Sequence, residues 1–134
     1  MSAAHDNLAL WRVLVHALNR GDVDEVVRLS TDDVVIIAAR SDVEGPFVGH
    51  EGARKFFADN EENFELFQIR LDEVRVLDKD RVLGIGTVHV RGRGGGVETD
   101  APIAGIATFR DGRLSRWEDF RDRRRAFEAA GVSE

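Results

Sequence analysis

The chain has 134 residues, enough for one domain at about 100–200 residues each, and 43% hydrophobic with 33% charged residues indicates a folded globular protein rather than a disordered one. Its 25 acidic against 19 basic side chains leave a net charge of −6, which argues against a nucleic-acid partner because phosphate neutralisation needs a basic excess. Cysteine is absent, and with it disulfides, thiolate nucleophiles and zinc–thiolate or iron–sulfur centres.

The first ten residues lack a basic start followed by an apolar run, so no export signal is expected. Residues 4–20 predict a helix: Leu8, Trp11, Val15 and Leu18 recur at helical spacing, Leu10, Leu14 and Ala17 widen the apolar face, and Gly21 ends it. Asp22 and Glu25 have capping-box spacing for a second short helix through Leu29, with Val23, Val26 and Val27 inward and Ser30-Thr31-Asp32-Asp33 as the break. Residues 34–39 form a six-residue apolar run that predicts a strand covered on both faces. This longest apolar stretch is far short of the ~20 residues of a membrane helix, so no membrane partner and a cytoplasmic location are expected.

Residues 41–48, with Gly45-Pro46, read as a loop before a third helix over 51–62 whose inner face carries Ala53, Phe56, Phe57 and Asn60. Four strand-like segments follow, at 64–77, 82–91, 97–109 and 114–121, separated by short polar or glycine-rich turns. Short connections imply antiparallel hairpins. A helix over 123–130 closes the chain, and the basic cluster Arg121, Arg123, Arg124 and Arg125 is broken by acids and reads as a solvated face. The order predicts an α+β architecture, a curved antiparallel sheet wrapped around a helix-lined interior.

This order resembles the nuclear-transport-factor-two-like superfamily, in its SnoaL-like branch, over nearly the whole chain. The resemblance is carried by "LNRGDVDEVVRLSTDDVVI" at 18–36, "GHEGARKFF" at 49–57, "GGGVE" at 94–98, and "TFRDGRLSRWEDFRD" at 108–122 followed by "AFEAAG". It implies a single cone-shaped α+β half-barrel with an internal pocket and a homodimer through the outer face of the sheet. The superfamily hosts unrelated functions on one cone, so function must be argued from the groups that this cone keeps.

Ketosteroid isomerases are similar in layout, but the position of their general base is Ala38 here. Their tyrosines fall at Leu14 and Phe57, and the aspartate of their oxyanion hole falls at Gly105. Base and donor are both missing, so that activity is rejected. Epoxide hydrolases of this fold match at the last strand, where Asp119 coincides with one of their aspartates. Their Arg-x-Asp pair is replaced by Gly84-Ile85-Gly86-Thr87. SnoaL-like polyketide cyclases use an aspartate near the end of that strand as acid or base, and Asp119 fits this part.

His89 is the expected partner of Asp119. It shares a strand face with Leu83, Ile85 and Thr87, and lies at the rim if that face is interior, whereas a one-residue slip turns it outward. Trp117, Asp119 and Arg121 share one face of the last strand, where Asp119 is either an acid–base group or simply the ion-pair partner of Arg121. Arg40, of the same parity as Ile36 and Ala38, either reaches the mouth to bind a carboxylate or enolate oxygen or stands in water at a strand end. His16 lies on the polar side of the first helix and His50 at a helix entrance, and no pair of residues has metal-ligand spacing, so no metal or cofactor is expected.

The leading expectation is a protein binding a small hydrophobic molecule in a pocket lined by Leu14, Leu18, Ile36, Ala38, Arg40, Phe57, Ile103, Trp117 and Arg121, with Asp119 and His89 as candidate catalytic groups. The alternatives are a cyclase, isomerase or epoxide hydrolase acting through Asp119, and a non-catalytic dimeric interaction module. The last predicts a cone filled by the eight phenylalanines.

Overall fold

In the computed structural model, which describes residues 3–39 and 45–133, helix α1 (Ala3–Asn19) forms where the apolar spacing predicts it. It buries Trp11, Leu14, Val15, Ala17 and Leu18 and leaves Arg12 and His16 exposed. Gly21 ends it at φ +71°, a left-handed turn in which Asp22 N–H donates to Ala17 O (2.9 Å) and Gly21 N–H to Leu18 O (3.1 Å). Asp22 then caps α2 (Val23–Arg28) by accepting Glu25 N–H at 3.2 Å. The reciprocal half of the capping box is not made. Asp22 N–H already serves Ala17, and the Glu25 carboxylate pairs with Arg28 at 2.8 Å instead.

Strand β1 (Ser30–Ile37) begins earlier than the apolar run suggests. The segment read as a break is drawn into the sheet: Ser30 pairs with Leu114, and its hydroxyl donates to Val26 O at 2.6 Å. A two-residue strand, β2 (Phe47–Val48), pairs with β1 inside the expected loop and leads into α3 (Gly49–Asn63), which buries Ala53, Phe56 and Asn60. The rest is β3 (Phe64–Val76), β4 (Arg81–Gly92), β5 (Glu98–Arg110), β6 (Arg113–Phe120) and α4 (Arg123–Ala130).

These strands form one mixed, curved and unclosed sheet in the order β2-β1-β6-β5-β4-β3. β3 to β6 make the expected antiparallel meander, but β1 runs parallel to β6, so the sheet is not wholly antiparallel. The chain between β1 and β6 includes α3 and four strands, long enough for the crossover that parallel neighbours need.

Strand register defines two faces. Ile36, Trp117, Ala107 and Val82 make one row of the inner face, and Asp119, Gly105 and Gly84 make the next. Trp11, Leu14 and Leu18 of α1 pack with this face in the main core. The outer face carries Leu83, Ile85, Ala104 and Ile106, which form a second core with Ala126, Phe127 and Ala130 of α4. The apolar alternation of β4 thus points away from the interior, because a helix from the end of the chain covers it.

α1 is also fastened to the free edge of β3. The Asn19 carboxamide donates to Ile69 O at 2.8 Å and accepts Ile69 N–H at 2.8 Å, while Gln68 donates to Asn19 O at 2.6 Å.

Candidate functional site

Asp119 lies near the end of β6, opposite Gly105 and one step along the same face from Trp117. The buried Trp117 indole donates Nε1–H to Asp119 Oδ1 at 2.9 Å, and its ring meets Trp11 edge-on with centroids 4.3 Å apart. Asp119 Oδ1 occupies space that any other residue at 105 would take, since a Cβ there would fall 2.5 Å from it. Gly84 makes similar room for Trp11, whose Nε1 lies 3.0 Å from where a Cβ would be. The glycines of β4 and β5 therefore let an indole edge and a carboxylate approach the sheet closely.

Past Asp119 a cavity of about 300 Å³ opens at the end of the sheet where β1, β4 and β6 finish and β3 and β5 begin. Its walls are Ala38 and Ala39, Phe56 of α3, Phe64 and Phe67 of β3, Val88 and Val90 of β4, and Ala101, Pro102 and Ile103 of β5. Among the described residues Asp119 and Arg121 supply its charged groups. A second, more polar recess of about 380 Å³ shares Ala38, Ala39, Asp119 and Arg121, and adds Glu118, Asp122 and Arg125.

The sequence-derived pocket residues divide into three groups. Ala38, Ile103, Asp119 and Arg121 line the cavity together. Leu14, Ile36 and Trp117 are buried in the filled part of the interior beneath it. Leu18 and Phe57 line a separate groove of about 540 Å³ between the helices and β3. Arg40 lies outside the described residues. No ion pair joins Arg121 to Asp119 among the described residues.

His89 does not converge with Asp119. Its β4 neighbours Val88 and Val90 line the cavity, so His89 stands on the opposite, outer face, with Leu83 and Ile85. There its Nδ1 meets the Asp100 carboxylate and its Nε2 lies 2.6 Å from Glu98 Oε1, both across the β4–β5 pair. The Asp100 hydrogen bond first, then that of Glu98, raises the imidazole above its ordinary value, outweighing partial desolvation. The two ring nitrogens serve different carboxylates, and no described group of three His, Asp or Glu side chains could hold a metal ion.

Phe64, Phe67, Val88 and Val90 are lining residues that sequence reasoning missed. The signal was there for the last two, whose even parity on β4 matches Gly84 and Gly86. Glycines carry no hydrophobicity, so the apolar odd positions dominated the reading.

Residues 11–117 match the family described as the SnoaL-like domain. No curated protein matches the sequence. A putative polyketide cyclase from Xanthomonas campestris pv. campestris superposes with a TM-score of 0.80 at 20% identity, covering 96% of this chain and 99% of that one. An NTF2-like protein of unknown function from Burkholderia pseudomallei gives 0.79 at 20% identity, covering 96% and 97%. An LEH-like epoxide hydrolase of M. tuberculosis gives 0.76 at 17% identity, covering 97% and 88%. At such identities the likeness concerns the fold alone. Among the described residues no helix is long and apolar enough to cross a membrane.

Proposed function

Since the chain belongs to the SnoaL-like domain family, we propose that it binds a small, mainly hydrophobic molecule in the cavity above Trp117, with Asp119 as the group placed to act on it. The observation that carries this reading is the lining: an apolar enclosure of about 300 Å³ into which one carboxylate and one guanidinium project. That volume is at the lower end of the roughly 300–1,000 Å³ of small-molecule sites. The filled floor favours a compact or flat ligand over one that penetrates to Leu14.

Any chemistry at this site is proton transfer or water addition through Asp119, as in the cyclase- and epoxide-hydrolase-like alternatives. Trp117 orients the carboxylate by holding Oδ1. Ala38 in the wall offers no base of its own. The purely structural alternative, an interaction module with a filled cone, is disfavoured by the open end of the interior. A homodimer through the outer sheet face would have to use the part that α4 leaves open, where Thr87, His89, Arg116 and Glu118 are polar. Such an interface would dissociate with added salt, which sedimentation would reveal.

The test is a fluorescence titration with a panel of flat apolar ligands. Saturable quenching is expected in the parent protein and in Leu18→Met, and its loss in Ile103→Trp, which fills the cavity. Quenching that survives Ile103→Trp would remove the cavity from consideration. Where a ligand is turned over, Asp119→Asn should abolish turnover and keep binding.

A further inference from the structure

Resting on the cavity assignment above, we infer that the ligand of this site is an amphipathic acid: an apolar body in the cavity bearing a carboxylate or ionised enol that Arg121 receives, with Arg125 behind it. Arg121 lies in the walls of both the apolar cavity and the adjoining polar recess, at their junction, and Arg125 lines the recess. Neither guanidinium has a hydrogen bond or ion pair among the described residues.

The acids of the recess are already engaged. Glu118 pairs with Arg116 at 3.3 Å across the same strand. Asp122 Oδ1 accepts Arg124 N–H at 2.9 Å as the cap of α4. Asp119 Oδ1 accepts the Trp117 indole N–H at 2.9 Å. Among the described residues the recess therefore holds three carboxylates with donors of their own and two cations whose N–H groups meet no acceptor. Arginine is suited to the missing partner, because its planar fork fits two oxygens at once and it tolerates partial desolvation. The apolar walls beside Arg121 strengthen that contact relative to open water.

The wall is less suited to the converse, because a cationic head at the junction would meet the like charges of Arg121 and Arg125. A wholly neutral ligand would leave both guanidinium groups as they are and gain nothing from their position.

The experiment is calorimetric titration with a matched pair, 4-phenylbenzoate and 4-phenylbenzyl alcohol, against the parent protein, Arg121→Gln, Arg125→Gln and the cavity-filling Ile103→Trp. The acid should bind about tenfold tighter than the alcohol, the gain of one charge-assisted contact. Arg121→Gln should bring the acid down to the alcohol and leave the alcohol unchanged. Arg125→Gln should reduce the acid by a smaller factor. Ile103→Trp should abolish both. Equal affinities for acid and alcohol, both lost in Ile103→Trp, would overturn the acid inference and leave the cavity assignment standing. Acid binding that persists in Ile103→Trp would mark a surface ion contact and overturn the inference as well. No binding of either compound at millimolar concentration would overturn both.

Discussion

Two glycines of the inner sheet face offer a comparison in which the same substitution should have different consequences. At Gly86 an added Cβ would fall 1.9 Å from Arg70 O and 3.0 Å from Leu71 Cα, both backbone atoms of β3 beside its bulge. Relief to the ~3.5 Å of ordinary contact would require β3 to lift off β4. Overpacking that cannot relax costs about 3 kcal/mol or more, a large part of the roughly 5–15 kcal/mol that holds such a domain together. At Gly105 the Cβ would meet Asp119 Oδ1 at 2.5 Å, the tip of a side chain that can rotate, while Trp117 Nε1 stays 3.6 Å away. Gly105→Ala would break the Trp117–Asp119 hydrogen bond, worth about 1.5–3 kcal/mol for a charged acceptor, and regain about 0.5–1 kcal/mol from a less flexible unfolded chain.

Urea denaturation followed by far-ultraviolet circular dichroism should thus show Gly86→Ala as the far weaker protein, with a melting temperature lower by roughly 10 °C. Gly105→Ala should stay folded but lose turnover wherever a ligand is turned over, because the Asp119 carboxylate has been displaced. Equal stabilities of the two variants, or a milder effect at Gly86, would refute the close approach of β3 and β4.

Three further outcomes follow from features away from the cavity. Asn19→Ala should destabilise by about 1–3 kcal/mol, since it strips the partners from Ile69 N–H and C=O at once, and equilibrium unfolding would reveal this. His89 has a raised imidazole pKa, so its stabilising contribution is complete below the unfolded value of about 6.5 and fades as pH rises through the higher folded one. Unfolding measured across that interval should lose its slope in His89→Gln, and an unchanged slope would remove the assignment. Phe127→Ala should cost about 3–5 kcal/mol and free α4 from Leu83 and Ile85, detectable as faster amide exchange in α4 and binding of a hydrophobic dye.

Much of this architecture can be read from residue spacing, and the exceptions share a cause. α1 is legible because its apolar face meets a single core, and α4 because Asp122 and Gly131 bracket it. The early start of β1 is not legible, since Ser30 and Thr31 carry no apolar signal and Ser30 enters the sheet through pairing with a strand more than eighty residues away. The orientation of His89 reads wrongly because Leu83 and Ile85 are apolar on account of α4, while the truly interior positions are glycines shaped around Trp11. The grouping of Ala38, Ile103, Asp119 and Arg121 at one site rests on the resemblance to known cones, with parity along the last strand setting Arg121 beside Asp119. The depth of that site is not legible, because nothing local says that the two indoles pack against each other in the interior.

The clasp between Asn19 and Ile69 also bears on how the protein behaves among other copies of itself. β3 is a thirteen-residue strand at the margin of the sheet, the kind of border on which a stray chain could template itself. Asn19 plugs that border by imitating a neighbouring strand, and the bulge between Leu71 and Glu73 bends what remains. The opposite border, β2, is two residues long and offers too little backbone to recruit a partner. A single carboxamide thus guards solubility as well as stability, and loss of Asn19 should show itself in concentrated solution as growing fibrous or amorphous aggregate before it shows itself as loss of fold.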